Sequence, residues 1–172
     1  MSKVINIEGR KSIKQLAPEQ LPTERKESGK WTFPEEYLTF KKQNELIQKL
    51  YMNIDFTEKK ALIAMIQKKI NSYKQQDIEK QIYSNYHIIS LEDTIQKLVE
   101  SKMKCKYCQK NMLLIYKQIR EPLQWTLDRI DNDYGHNTDN VLISCLECNL
   151  KRRNTNMEKF LFTKQLKINK VS

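Results

Sequence analysis

The feature that most constrains this chain is a short spacing used twice: Cys105-Lys106-Tyr107-Cys108 and, downstream, Cys145-Leu146-Glu147-Cys148. These are all 4 cysteines of the 172 residues. A C-x2-C pair on a tight turn aims two thiolates at one point, so two such pairs can close a tetrahedral zinc site. Two disulfides, or four buried free thiols, are the plain alternatives.

Other features bear on that choice. No run of about 18 apolar residues exists, so a membrane span is not expected. The N-terminus lacks an apolar core followed by a small-residue cleavage site, the mark of a secretory leader. The expectation is an intracellular protein in a reducing compartment, where paired thiols bind metal rather than each other. Hydrophobic residues make up 39% of the chain, enough for a packed core.

Charge adds a partner class. The chain carries 31 Lys+Arg against 21 Asp+Glu, a net of +10. Residues 101–172 hold 14 basic and 7 acidic side chains, so most of the excess belongs to the part bearing the cysteines. Four thiolates on one zinc ion would leave that part near about +5. Such a field favours a polyanion, most often nucleic acid, although a solvated lysine-rich surface would look the same in composition.

Residues 1–30 scatter Pro18, Pro22 and Gly29 among charges and have no sustained apolar period, so they are expected to form a flexible basic leader. Residues 31–102 have helical periodicity. Tyr37, Leu38, Phe40, Leu46, Leu50 and Tyr51 predict a helix over Glu35–Tyr51 with Pro34 in its first turn. Thr57 is a candidate cap for a second helix whose stripe is Leu62, Met65, Ile66, Ile70 and Tyr73, with Lys74–Gln81 as an extension. The pattern from Ile82 to Ile89 is undecided. Ser90-Leu91-Glu92-Asp93 resembles a capping box before a third helix with Ile95, Leu98 and Val99 inward. These helices are a candidate surface for a protein partner.

Shorter elements are expected over residues 103–172. Met103–Tyr107 and Met112–Tyr116 can flank the first cysteine turn as a hairpin-like knuckle, and Trp125–Ile130 and Asn140–Ser144 read as strands around a polar loop. A helix over Leu146–Arg153 follows, and Met157, Phe160, Leu161 and Leu166 suggest a closing C-terminal helix. The fold class expected is α+β: a helical N-terminal part followed by a cysteine-stapled ββα unit.

The central residues resemble a known family. Leu127-Asp128-Arg129-Ile130-Asp131, Gly135-His136, Asn140-Val141 and Cys145-Leu146-Glu147-Cys148-Asn149-Leu150-Lys151 are similar to the HNH, or ββα-metal, endonucleases, especially zinc-stapled members of the recombination endonuclease VII type. The resemblance covers about residues 103–165 and is silent on residues 1–100. It implies metal-dependent hydrolysis of DNA phosphodiester bonds. It also implies a structural zinc on Cys105, Cys108, Cys145 and Cys148, and a catalytic Mg²⁺ or Mn²⁺ on Asp128 and Asn149. Asn140 would brace the loop between the strands. The biological setting stays open, a viral or phage protein acting in a host cell among the candidates.

One position departs from the pattern. The residue after the metal-binding aspartate is usually the histidine that activates water, and here it is Arg129. A guanidinium stays protonated and suits phosphate or its developing charge instead. His136, the only histidine in the motif, is then the candidate base, and the rival is a metal that lowers the pKa of its own water while His136 serves only the loop. Lys151, Arg152 and Arg153 are the candidate contacts to a phosphate backbone.

Each of these residues also has a plain reading. Asp128 and Asp131 can be turn-forming carboxylates, Asn140 and Asn149 caps, His136 a loop residue, and the three cations solvation of an exposed helix. The competing class is a catalytically inactive zinc-stapled module for nucleic-acid binding or assembly.

Overall fold

The apolar period after Pro34 is divided between two elements. One turn of 3₁₀ helix, Glu35–Leu38, gives way to an extended Thr39 (φ −76°, ψ 139°) before helix α1, Phe40–Tyr51, begins. Thr39 Oγ1 donates to the Glu36 carbonyl at 3.0 Å, a local bond that competes with continuing the helix. The structure is a computed structural model that describes residues 33–166, apart from the Gln165 side chain. The leader expected over residues 1–30 lies outside the described residues.

Helix α1 buries Leu46, Ile47 and Leu50 together with Gln43. Helix α2, Lys59–Glu79, runs for 21 residues and takes in most of the polar stretch after Tyr73. Its cap position is Glu58, with no side-chain bond, so Thr57 does not serve there. Its buried residues are Leu62, Ile66, Ile70, Tyr73 and Asp77, one stripe at helical spacing that ends in a carboxylate. Helix α3, Leu91–Glu100, starts at Ser90, whose Oγ accepts from the Asp93 amide at 3.0 Å. Such a cap is worth about 1 kcal/mol. Helix α3 lays Ile95 and Leu98 inward and packs on α1 and α2.

The rest is built on a two-stranded antiparallel sheet. Strand β1, Trp125–Arg129, pairs with β2, Val141–Cys145, in the register Trp125↔Cys145 to Arg129↔Val141. Helix α4, Leu146–Arg152, leaves β2 without a linker, and α5, Met157–Gln165, follows as the last described element. Asn156 Oδ1 caps α5 by accepting from the Glu158 and Lys159 amides. The architecture is thus α+β.

The first cysteine turn is less regular than a hairpin. Lys104 and Asn111 form an isolated bridge, with Cys105 N donating to Lys110 O at 3.0 Å and Met112 N to Met103 O at 2.7 Å. Lys102, Met103 and Gln109 have φ of 52°, 54° and 58°, and left-handed residues break a continuous extended run. The segment after it runs beside the approach to β1, where Leu113 bridges Gln124.

One hydrophobic core joins the helices to the cysteine-bearing part, running from Phe33 and Tyr37 through Leu62 and Leu98 to Trp125 and Phe160. Gln43 of α1, fully buried, stitches the two together. Its Oε1 accepts from the Leu114 and Ile115 amides at 2.6 and 3.1 Å, and its Nε2 donates to Ile115 O at 2.9 Å. An unpaired buried amide would cost about 1–3 kcal/mol, so these bonds tie α1 to a definite register on residues 114–115. Among the described residues no helix is long and apolar enough to cross a membrane.

Candidate functional site

Two polar centres flank the ββα unit, one closed and one open. At the closed centre, Cys105, Cys108, Cys145 and Cys148 bring their sulfurs within 4.8 Å of one another. A tetrahedron with metal–sulfur bonds of about 2.3 Å has edges of about 3.8 Å. Cys108 Sγ and Cys145 Sγ lie 3.8 Å apart. Three of the four cysteines are buried and none is in a disulfide, so the cluster is a possible metal site with the donor chemistry of zinc.

The thiols also perturb one another's ionisation. Hydrogen bonding from Cys145 pulls the Cys105 thiol down to about 4 against the effect of burial. The same bond, and then burial, push Cys145 up; burial and then the Cys105 charge push Cys148 up to about 12. Crowded sulfurs cannot all ionise without a cation among them.

The open centre is a cleft of about 250 Å³ between the end of α2, the end of β1 and the start of the segment after α4. Asp128, Arg129, His136, Asn149 and Arg153 line it, and so do Tyr73, Gln76 and Lys80 of the helical region and its end. The fold therefore brings most of the residues singled out from the motif to one place. The wall from α2 has no counterpart in the motif.

Asp128 sits at the back of this cleft, 4% exposed. Arg152 Nε donates to its Oδ2 at 2.9 Å and Arg152 Nη2 to its Oδ1 at 3.1 Å, a bidentate pair. Tyr107 Oη donates to Oδ2 at 2.7 Å. Burial first, and then that hydrogen bond, push the Tyr107 hydroxyl up, so it stays a donor. Arg152 also donates to the Thr155 carbonyl at 2.7 Å and to the Arg129 carbonyl. At 1% exposure it does not face solvent, which corrects its assignment as a phosphate contact. The reason is its spacing: Arg152 falls four residues after Cys148 on the inward face of α4.

This arrangement bears directly on the expected catalytic ion. Both Asp128 oxygens already accept from a buried guanidinium, which would repel a dication. Asn149 donates to Thr126 Oγ1 at 3.1 Å and Leu127 O at 3.4 Å, leaving its own oxygen available. Among the described residues the four cysteines are the one group of three or more His, Cys, Asp or Glu that could hold a metal. As arranged, Asp128 and Asn149 do not fit a hard divalent ion.

His136 is differently held. Its backbone amide donates to Asp77 Oδ2 at 2.6 Å, and its Nδ1 lies 2.7 Å from Asp77 Oδ1. Its ring stacks on Tyr73, centroids 4.5 Å apart and planes at 35°. Gly135 permits this approach: a Cβ there would stand 2.8 Å from the Ile82 carbonyl oxygen and 2.9 Å from Asp77 Oδ2. Burial lowers the imidazole pKa below its ordinary value; Asp77 opposes this, while the charges of Arg129 and Lys80 reinforce it.

The remaining motif residues divide between bracing and exposure. Asn140 accepts from the Asp131 amide at 2.9 Å and donates to the carbonyls of Asp131 and Gly135 at 2.9 and 3.0 Å, closing the loop between the strands. Arg129 Nη1 holds the carbonyls of Asn132 and Tyr134 at 2.9 and 3.1 Å. Lys151 is exposed and pairs with Glu147 at 2.5 Å, away from the cleft lining. Arg153, also exposed, lies on the cleft and has no salt bridge among the described residues, as is true of Lys80.

Asp77, Tyr73 and Lys80, and Tyr107 within the first cysteine pair, are site residues to which the sequence reading gave no part in the site. A signal for Asp77 did exist, since it continues the apolar stripe of α2 at the next inward position. No family model, curated protein or solved structure matches this chain.

Proposed function

We propose that this chain is an endonuclease of HNH type that hydrolyses DNA phosphodiester bonds, built on a ββα unit stapled by structural zinc. The observation that carries the reading is the cleft, which His136, Asn149, Lys80, Arg129 and Arg153 line together. The cations suit a phosphate and the charge that grows on it during hydrolysis. His136 takes a proton from the attacking water, the role that Arg129 cannot fill. Zinc on the four cysteines would cross-link the two knuckles and supply folding energy rather than chemistry. Mg²⁺ or Mn²⁺ at Asp128 and Asn149 would first have to displace the Arg152 guanidinium, so binding phosphate and moving the proton fall to the chain's own groups.

A second reading has its own support. Asp128 locked by Arg152, and Arg129 in the usual base position, are features of a zinc-stapled module that binds nucleic acid without cutting it. Nicking of supercoiled plasmid by wild type and His136→Ala, with and without Mg²⁺ or Mn²⁺, separates the two. The nuclease reading expects a loss on the order of 10²–10⁴ in rate with DNA affinity retained. No cleavage by wild type of duplex, single-stranded or branched DNA under any of these conditions would leave the binding module.

A further inference from the structure

We propose that Asp77, on a helix outside the ββα unit, is a positioning residue that keeps the proton of neutral His136 on Nδ1 and so presents Nε2 to the cleft as a bare acceptor. The catalytic consequence rests on the nuclease reading above; the tautomer itself does not.

The geometry leaves little choice. Asp77 and His136 side chains are 1% and 6% exposed, so water does not mediate between them. An ionised carboxylate offers acceptors only. Oδ2 is taken by the His136 backbone amide at 2.6 Å, and Oδ1 faces Nδ1 at 2.7 Å. With the proton on Nε2 instead, two lone pairs would oppose each other across that distance in a buried site. The Nδ1–H form resolves this and moves the ring's free lone pair to Nε2. No hydrogen bond to Nε2 exists among the described residues, and His136 is one of the residues lining the cleft.

Three further contacts hold the ring in that attitude. Tyr73, one helical turn before Asp77, stacks on it, and Tyr73 Oη is itself fixed by accepting from the Leu127 amide at 3.2 Å. The His136 carbonyl accepts from the Ile89 amide at 2.9 Å. Gly135, whose missing side chain is the space the Asp77 carboxylate uses, lets the loop press onto α2. In this way the helical region completes a centre whose other members lie in the ββα unit.

Asp77→Asn is the discriminating change because it keeps the shape and alters one donor. The amide has a single acceptor oxygen, which the His136 backbone N–H claims, so its NH₂ must face Nδ1. Nδ1 then becomes an acceptor and the proton moves to Nε2, pointing a donor into the cleft. The chain has 2 histidines, and His87 is exposed, so long-range ¹H–¹⁵N correlation on the ¹⁵N-labelled full chain can assign both rings.

The proposal expects His136 of wild type in the Nδ1–H form at a pH where it is neutral, and in the Nε2–H form in Asp77→Asn. Plasmid cleavage should fall on the order of 10²–10⁴-fold in the variant, the cost of presenting the wrong tautomer. An Nε2–H ring in wild type would overturn the proposal whether or not the variant folds; so would an Nδ1–H ring retained in a folded Asp77→Asn. A tautomer that switches while cleavage is unchanged supports the positioning role of Asp77 and removes His136 as the base, which separates this inference from the nuclease reading.

Discussion

Asp128 and Asp77 are both buried carboxylates behind the same cleft, yet they are satisfied in opposite ways. Asp128 is saturated by a permanent cation and a hydroxyl, all from its own unit: Arg152 on α4 and Tyr107 in the first knuckle. Asp77 binds a backbone amide and a titratable ring from a loop that another part of the chain supplies. A guanidinium that cannot deprotonate makes the first pair a clasp. An imidazole with a second nitrogen makes the other pair capable of chemistry. Burial and a carboxylate do not define a catalytic group; the partner and what it leaves unoccupied do.

The largest effect expected is at the clasp end. Tyr107 lies between Cys105 and Cys108, so under the zinc proposal removal of the ion should release the clasp as well as the knuckles. Zinc binding to such sites is worth on the order of 10–16 kcal/mol at neutral pH. Cys145→Ser with Cys148→Ser, or chelation, should therefore unfold residues 103–165 ahead of α1–α3. Hydrogen exchange resolved along the chain measures it. Metal content near zero in protein purified without chelator would argue against the site.

Next in size is the clasp itself. Arg152→Met leaves Asp128 buried beside Tyr107 alone and should cost about 3–5 kcal/mol by denaturant unfolding. Asp128→Leu combined with Arg152→Met should cost much less than the two single changes added together, because it removes both charges at once. Additive losses would mean that the pair is not coupled. Asp128 would then be free to act as the metal ligand that the family resemblance implies.

Much of this layout was legible in the chain. Periodicity located α2 and α3, Ser90 announced its helix, and the β-branched and aromatic content after Trp125, with the short run after Asn140, placed the sheet to within a residue at each of its ends. The 3₁₀ turn before α1 was not, since Thr39 breaks the helix by a side-chain bond that periodicity cannot register. Among site residues, spacing alone exposes the cysteine centre, because a short turn fixes where both thiols point. Charge misleads at Arg152: three consecutive basic residues look alike in composition, but only the middle one shares the inward face with Cys148. Asp77 was hidden by distance, being 59 residues from its partner. Its one local trace is a carboxylate where the α2 stripe calls for an apolar side chain.

If His136 is the base in this cleft, as proposed, cleavage must follow the ionisation of its ring. Asp77 of α2, with Lys80 just past its end and Arg129 of β1, are the charged groups that act on it, and burial outweighs Asp77 in lowering its pKa. A base acts unprotonated, so lowering its pKa extends activity toward acid. Single-turnover cleavage by wild type should hold level through neutral pH and fall only below about 6.5, the ordinary value for imidazole. His136→Ala should be slow throughout and lack that step. A His136→Ala variant with the wild-type rate and profile would exclude His136 as the base.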